Sequence, residues 1–281
     1  MNDIENNQLF CWQQIERTDP LYRVTHSFAD REIADRLLAL HAFLAATGEI
    51  CAMVSDEGVA ARKLAWWHDE MHGGAGSGRP HPITSELRRT GGYGLLDSAS
   101  LERHFEQASK RFDPDPMRTL EDLLECCRRI GRPMLEMEFS VCGAQVPQGS
   151  WFDSMARRRG LVQLVREDLA RGDAWWLPLD LLARYGLGRK DIREAGKARS
   201  VQGLIKEISR QQELWISSDI NDISQLKQSV KHVVFSDHLI KRKLKNRNLN
   251  SPDRWPEWLS KASPLDLLTG WQAARRVSPW K

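Results

Sequence analysis

Apolar side chains in this chain recur at three- and four-residue spacings along nearly its whole length. Nowhere do they alternate one by one between turn signals. That rhythm gathers them on one face of a helix and scatters them across a pleated strand, so it constrains the fold before anything else does. Residues 29–54 carry Ile33, Leu37, Leu40, Phe43 and Leu44 in one such stripe, and residues 58–72 carry Val59, Leu64 and Trp67 in another. Further helices are expected at 83–90, at 98–112 with Ser98 or Ser100 as the cap, and from Thr119 to about Gly143. In that last helix Asp122 completes the cap motif and Pro133 is a kink point. Helices also follow at 151–170, 180–185 (ended by Gly186), 190–217, 221–244 and 264–277. GGAGSGRPHP at 73–82, the DPDP run at 113–116 and PQGS at 147–150 read as loops. The expected fold is all-α, one helical domain over 1–281 around a core or cavity, with residues 1–20 and 245–260 at the periphery.

A chain of 281 residues buries a large core without covalent staples. Lys and Arg total 41 against 38 Asp and Glu, a net charge of +3, too even to argue for a nucleic-acid partner. Eleven tryptophans against 3 tyrosines give broad apolar walls or plain core packing. No run of about 18 uninterrupted apolar residues is present. The start, MNDIENNQLFCWQQ, lacks the basic and apolar regions of a secretory signal. Five cysteines without metal spacing read as reduced, buried thiols of a cytoplasmic protein.

Few segments carry chemistry on their own residues. His68 and His72 stand four apart in H-D-E-M-H, a spacing zinc accepts, but only His81 of the following loop offers a third ligand. A solvated helix end is the expectation there. GGAGSG lacks the Lys-Ser/Thr ending of a phosphate loop, and Cys126–Cys127 reads as a buried pair beside Arg128 and Arg129. The segment KRKLKNR places Lys241, Arg242, Lys243, Lys245 and Arg247 within seven residues. It is the candidate contact with the inner face of a membrane, for a cytoplasmic protein peripheral to it, or else a solvated helix end. In RRRGLVQLVREDLARGDAWWLP at 157–178, Glu167 and Asp168 are adjacent, so they point about 100° apart and do not form a one-turn metal pair.

The same region carries a resemblance. GLVQLVREDLARGDAWWLPLDLLARYGL at 160–187 resembles the second signature of squalene and phytoene synthases, a D-x-x-x-D helix followed by A-R-x-G, an aromatic-Leu-Pro exit and D-x-L-x-x-[FY]-G. LLALHAFLAATGEICAMV at 37–54 is similar to the family's first helix, YAFCR-x-x-DD-x-x-D. AARKLAWWHDEM at 60–71, LLECCRRIGRPMLEMEFSVCGA at 123–144 and PLDLLTGWQAARR at 264–276 follow in the family's order, so the likeness covers about residues 20–277.

This resemblance implies an isoprenoid synthase-type helical bundle around a central cavity. In it two acidic helices hold Mg2+ against prenyl diphosphates. Here the first motif reads Gly48-Glu49-Ile50-Cys51-Ala52 and the second Leu164-Val165-Arg166-Glu167-Asp168. The implied catalytic acids are Glu49, Glu167 and Asp168, with Glu167 and Asp168 as the metal ligands. Arg62, Arg166 and Arg171 are the candidates for diphosphate contact, and Phe43, Trp66, Trp67, Trp175 and Trp176 for the prenyl pocket. Mg2+ prefers several hard oxygens. The lost acids therefore imply a divergent bacterial member, close to mitochondrial assembly factors that keep the fold without the aspartates. Such a protein binds an isoprenoid diphosphate or lipid, or acts in assembly or as a scaffold, with weak or no catalysis and with Mg2+ or no cofactor. The alternatives are an active head-to-head prenyltransferase joining two prenyl diphosphates, and an unrelated helical interaction protein. Residue by residue, plainer readings stand beside these: Glu49 as a buried helix acid paired with an arginine, Asp168 as an exposed helix acid or paired with Arg171, and the tryptophans as core.

Overall fold

In the computed structural model, which describes residues 3–19, 21–73, 80–112, 114–172, 174–211, 214 and 230–245, every regular element is helical. The helices are α1 (Asp3–Thr18), α2 (Tyr22–His26), α3 (Arg31–Met53), α4 (Glu57–Met71), α5 (Pro82–Arg89), α6 (Ser98–Ser109), α7 (Leu120–Val141), α8 (Ser150–Arg171), α9 (Leu179–Arg184), α10 (Ala198–Ser209) and α11 (Lys231–Lys245). The expected helix at 264–277, the start of the one at 221–244 and most of the 73–82 loop lie outside the described residues.

Local chemistry sets several boundaries. Thr119 Oγ1 accepts from the Asp122 amide while Asp122 accepts from the Thr119 amide, the reciprocal cap that starts α7. The helix then continues through Pro133. Asp97, and neither Ser98 nor Ser100, caps α6, its carboxylate accepting from the Ser100 amide at 2.9 Å. The expected helix at 190–217 is shorter, because two 3-10 turns occupy Arg189–Arg193 and Ala195–Lys197 before α10 begins. Asp191, accepting from the Gly188 amide at 2.7 Å, stabilises the first of these tight turns.

α3, α7 and α8 form the centre. α3 is apolar enough over 18 residues to match a membrane span, but 72% of that stretch is buried within the bundle. α7 and α8 pack backbone to backbone where Gly131 faces Ala156 and Gly160 faces Cys127, leaving no room for a β-carbon at either glycine. α11 is tied to α8 by the fully buried Arg158, whose guanidinium donates twice to Asp237, at 2.7 and 2.8 Å. Of the segment 1–20, expected at the periphery, the described residues 3–19 include core positions. α1 buries Cys11, Gln14 and Ile15 against the core, and its polar composition hid that role. All five cysteines are free and buried.

Burial also leaves three histidines uncharged. Burial pushes His104 down to about 3 and His232 down to about 4, and holds His41 well below its ordinary range. The unfolded chain binds protons near pH 6.5 that the folded chain refuses, so stability falls as pH drops from about 6.5 toward those values. For His104 alone the loss by pH 4 is about 3 kcal/mol. Glu138 and Glu167, raised by burial, offset part of it. Denaturant unfolding of the wild type and of His104→Gln at pH 7 and pH 4 checks this. The variant should lose distinctly less stability between the two, and an equal loss contradicts the assignment.

Candidate functional site

α3 and α8 meet where Gly48 stands against Gln163; a β-carbon there would lie 2.7 Å from the amide nitrogen of Gln163. Beside this contact is a cavity of about 490 Å³, walled by α1, α3, α7 and α8. The expected cavity therefore exists, and the helices carrying the two degenerate motifs form its walls. Their polar side chains are His41 and Glu49 from α3, Arg159, Gln163, Arg166 and Glu167 from α8, and Arg17, Thr18 and Asp19 from the end of α1 and the residue after it.

Each acid of this wall is held by protein donors. Glu49 accepts from Gln14 at 2.6 Å and from Arg17 at 3.4 Å. Asp19 accepts from Arg166 at 2.6 Å. Glu167, fully buried, accepts from Arg111 and, at 2.8 Å, from Gln163. Behind the wall Glu138 takes two bonds from Arg159, at 2.7 and 2.9 Å. Burial raises the Glu167 carboxyl above its ordinary range, against the pull of Arg111. Three polar atoms of the wall have no hydrogen-bond partner among the described residues: His41 Nε2, Arg166 Nε, a donor, and Glu167 Oε2, an acceptor.

A second cleft, of about 590 Å³, shares Glu49 and Met53 with the chamber. Its walls are apolar and aromatic, with Val54, Val59, Trp66 and Trp67, and two cations, Arg62 and Lys63, stand among them. Trp66 and Trp67 meet edge to face with ring centroids 5.1 Å apart, and Trp67 meets His81 at 4.8 Å.

The expected site residues are only partly brought together. Glu49, Arg166 and Glu167 line the chamber, and Arg62, Trp66 and Trp67 line the cleft. Asp168 lines neither. Its carboxylate accepts from the Ala174 amide at 2.5 Å and pins the turn that leaves α8, where Gly172 adopts a left-handed φ of 79°. Arg171 also faces away, donating to the carbonyls of Cys51 and Arg111 at 3.4 and 3.2 Å. Phe43 is core, edge to face with Trp67 and Phe105. Trp175 and Trp176 are buried outside both cavities. Of the basic segment, Lys243 is buried and Lys241 and Arg242 are half-buried. Arg247 and the Lys245 side chain lie outside the described residues. The sequence reading missed Gln14, Arg17, Asp19 and Arg111, because α1 carried no signal and Arg111, just past the end of α6, stands in no motif. Away from the chamber, Glu102 of α6 approaches His68 and His72 of the α4 terminus at 3.0–3.2 Å, a third candidate ligand from outside the local motif.

The comparisons agree with this architecture. The squalene/phytoene synthase family model matches residues 15–218. A dehydrosqualene synthase solved in complex with ligand is similar at 14% identity and a TM-score of 0.65, covering 98% of this chain and 96% of its own. The squalene synthase HpnC from Alicyclobacillus acidocaldarius is similar at 14% identity and a TM-score of 0.56, covering 98% and 93%. At that identity the likeness to both structures shows the fold. Among curated protein sequences none matches the chain.

Proposed function

Because this chain belongs to the squalene/phytoene synthase family, we propose that it binds an isoprenoid diphosphate or a related anionic lipid in the α1–α3–α8 chamber through arginine, with weak or no metal-driven condensation. Members of the family are typically Mg2+-dependent. The donor set here does not fit that ion. Glu49 is taken up by Gln14 and Arg17, and Glu167 by Arg111 and Gln163, while Asp168 is spent on a backbone turn outside the chamber. A Mg2+ cluster needs several hard oxygens converging on open space, and each guanidinium already supplies the positive charge that the ion would bring.

The observation that carries the reading is this pairing of every chamber acid with protein donors, together with the unspent Nε donor of Arg166. Guanidinium binds phosphate oxygens through planar, charge-assisted hydrogen bonds and needs no metal bridge. The neighbouring cleft, with Trp66 and Trp67, suits a prenyl tail whose headgroup lies near Glu49 and Met53. A cytoplasmic setting belongs to the same proposal and is supported by the five free, buried thiols.

Incubation with farnesyl or geranylgeranyl diphosphate and saturating Mg2+, with pyrophosphate release as the readout, tests the catalytic half. No release above the protein-free background is expected. Mg2+-dependent release that disappears in Glu49→Gln overturns the reading and establishes an active prenyltransferase.

A further inference from the structure

We propose that His68, His72 and Glu102 form a Zn2+ site that clamps the C-terminal end of α4 to α6, separate from the chamber. One nitrogen from each histidine and one carboxylate oxygen of Glu102 all lie within 4.8 Å of one another. The two Nε2 atoms converge on the same carboxylate: His68 Nε2 stands 3.1 and 3.2 Å from its two oxygens, and His72 Nε2 stands 3.0 Å from Oε1. The imidazole rings stack at 4.3 Å between centroids, as the four-residue spacing on a helix end allows.

Proton counting at His72 points to a cation. Its Nδ1 lies 2.8 Å from the carbonyl oxygen of His68, which can only accept. Its Nε2 lies against Glu102, which when ionised also only accepts. A neutral imidazole has one N–H for these two neighbours. The carbonyl fixes that hydrogen on Nδ1 and turns the Nε2 lone pair toward the carboxylate, the tautomer and outer hydrogen bond that metal-bound histidines use. A second cation between Nε2 and the carboxylate, a metal ion or an added proton, then removes the clash of lone pairs. Separations of 3.0–3.2 Å match the edges of a tetrahedron with bonds of about 2.0 Å, which are roughly 3.3 Å long. Two imidazoles and a carboxylate suit Zn2+ and disfavour Mg2+. The three side chains are partly exposed, so an ion can enter and water can take the fourth position. A bound ion would fix α4, the helix that also carries Arg62, Lys63, Trp66 and Trp67 of the cleft.

The test is calorimetric titration of chelator-stripped, reduced protein with Zn2+, paired with thermal unfolding and with the visible spectrum of the Co2+ form. One equivalent of Zn2+ should bind and raise the melting temperature. Co2+ should give the absorption of a low-coordinate nitrogen–oxygen site without thiolate charge transfer. Affinity should fall by at least about tenfold in Glu102→Gln and further in His68→Ala/His72→Ala, while circular dichroism stays that of the wild type. Absence of stoichiometric binding, or binding unchanged in the double variant, overturns the site and leaves the cluster a hydrogen-bonded histidine–carboxylate bridge.

Discussion

Gly160→Ala should lower the stability of this chain by more than about 3 kcal/mol, beyond the usual range for an overpacked position. The added methyl would fall on the Cys127 carbonyl, and across the same seam Gly131 leaves equally little room beside Ala156. Backbone cannot rotate away as a flexible side chain can, so α7 and α8 must separate. They carry Met134 and the Arg159–Glu167 wall of the chamber, and separation would open the site as well as the core. For a domain of this size the loss corresponds to a fall of roughly 10 °C in melting temperature. Gly94→Ala is the control, since nothing lies within 4 Å of a β-carbon there and it should move stability by less than about 0.5 kcal/mol. A Gly160→Ala protein with near wild-type stability would mean that the two helices do not pack at this distance.

Arg166→Gln should weaken binding of farnesyl diphosphate roughly thirtyfold, the equivalent of about 2 kcal/mol for a charge-assisted hydrogen bond. Arg166 is the chamber arginine with a buried donor still unspent, and it stands on α8 opposite Glu49 of α3. Removing it also strips Asp19 of its partner, which would leave an anion in the wall. The double variant Arg166→Gln/Asp19→Asn separates the effects. If the arginine itself holds the phosphate, affinity stays low after the stray charge is removed. Recovery to the wild-type value would show that Arg166 serves only to neutralise Asp19.

The sequence was most legible where one element explains itself. The apolar stripes of α3 and α4, the Thr119–Asp122 cap of α7 and the end of α8 near residue 170 follow from spacing and local hydrogen bonding. Resemblance alone placed α3 and α8 on one cavity. What stayed hidden depends on partners distant in the chain. Asp168 looks like a motif acid until the Ala174 amide, across an irregular turn, is found to use it. The plainer reading of Glu49 as a buried acid paired with an arginine holds for the pairing and not for the burial, since its side chain is 35% exposed, and its partner, Arg17, sits on a helix whose polar composition announces no packed face. Glu102 is 34 residues from His68, beyond any local metal motif. Tryptophan identity was a poor guide for the opposite reason: Trp175 and Trp176 fill the core, while Trp66 and Trp67 wall a cleft, and only packing separates these outcomes.

On the proposed reading guanidinium takes the charge-compensating place of magnesium in this chamber, and titration of the wild-type protein with farnesyl diphosphate, once in chelator and once in saturating Mg2+, asks for that directly. Equal affinity in the two conditions, within about threefold, is the expected result. Binding that requires Mg2+, or no binding in either buffer, would contradict it.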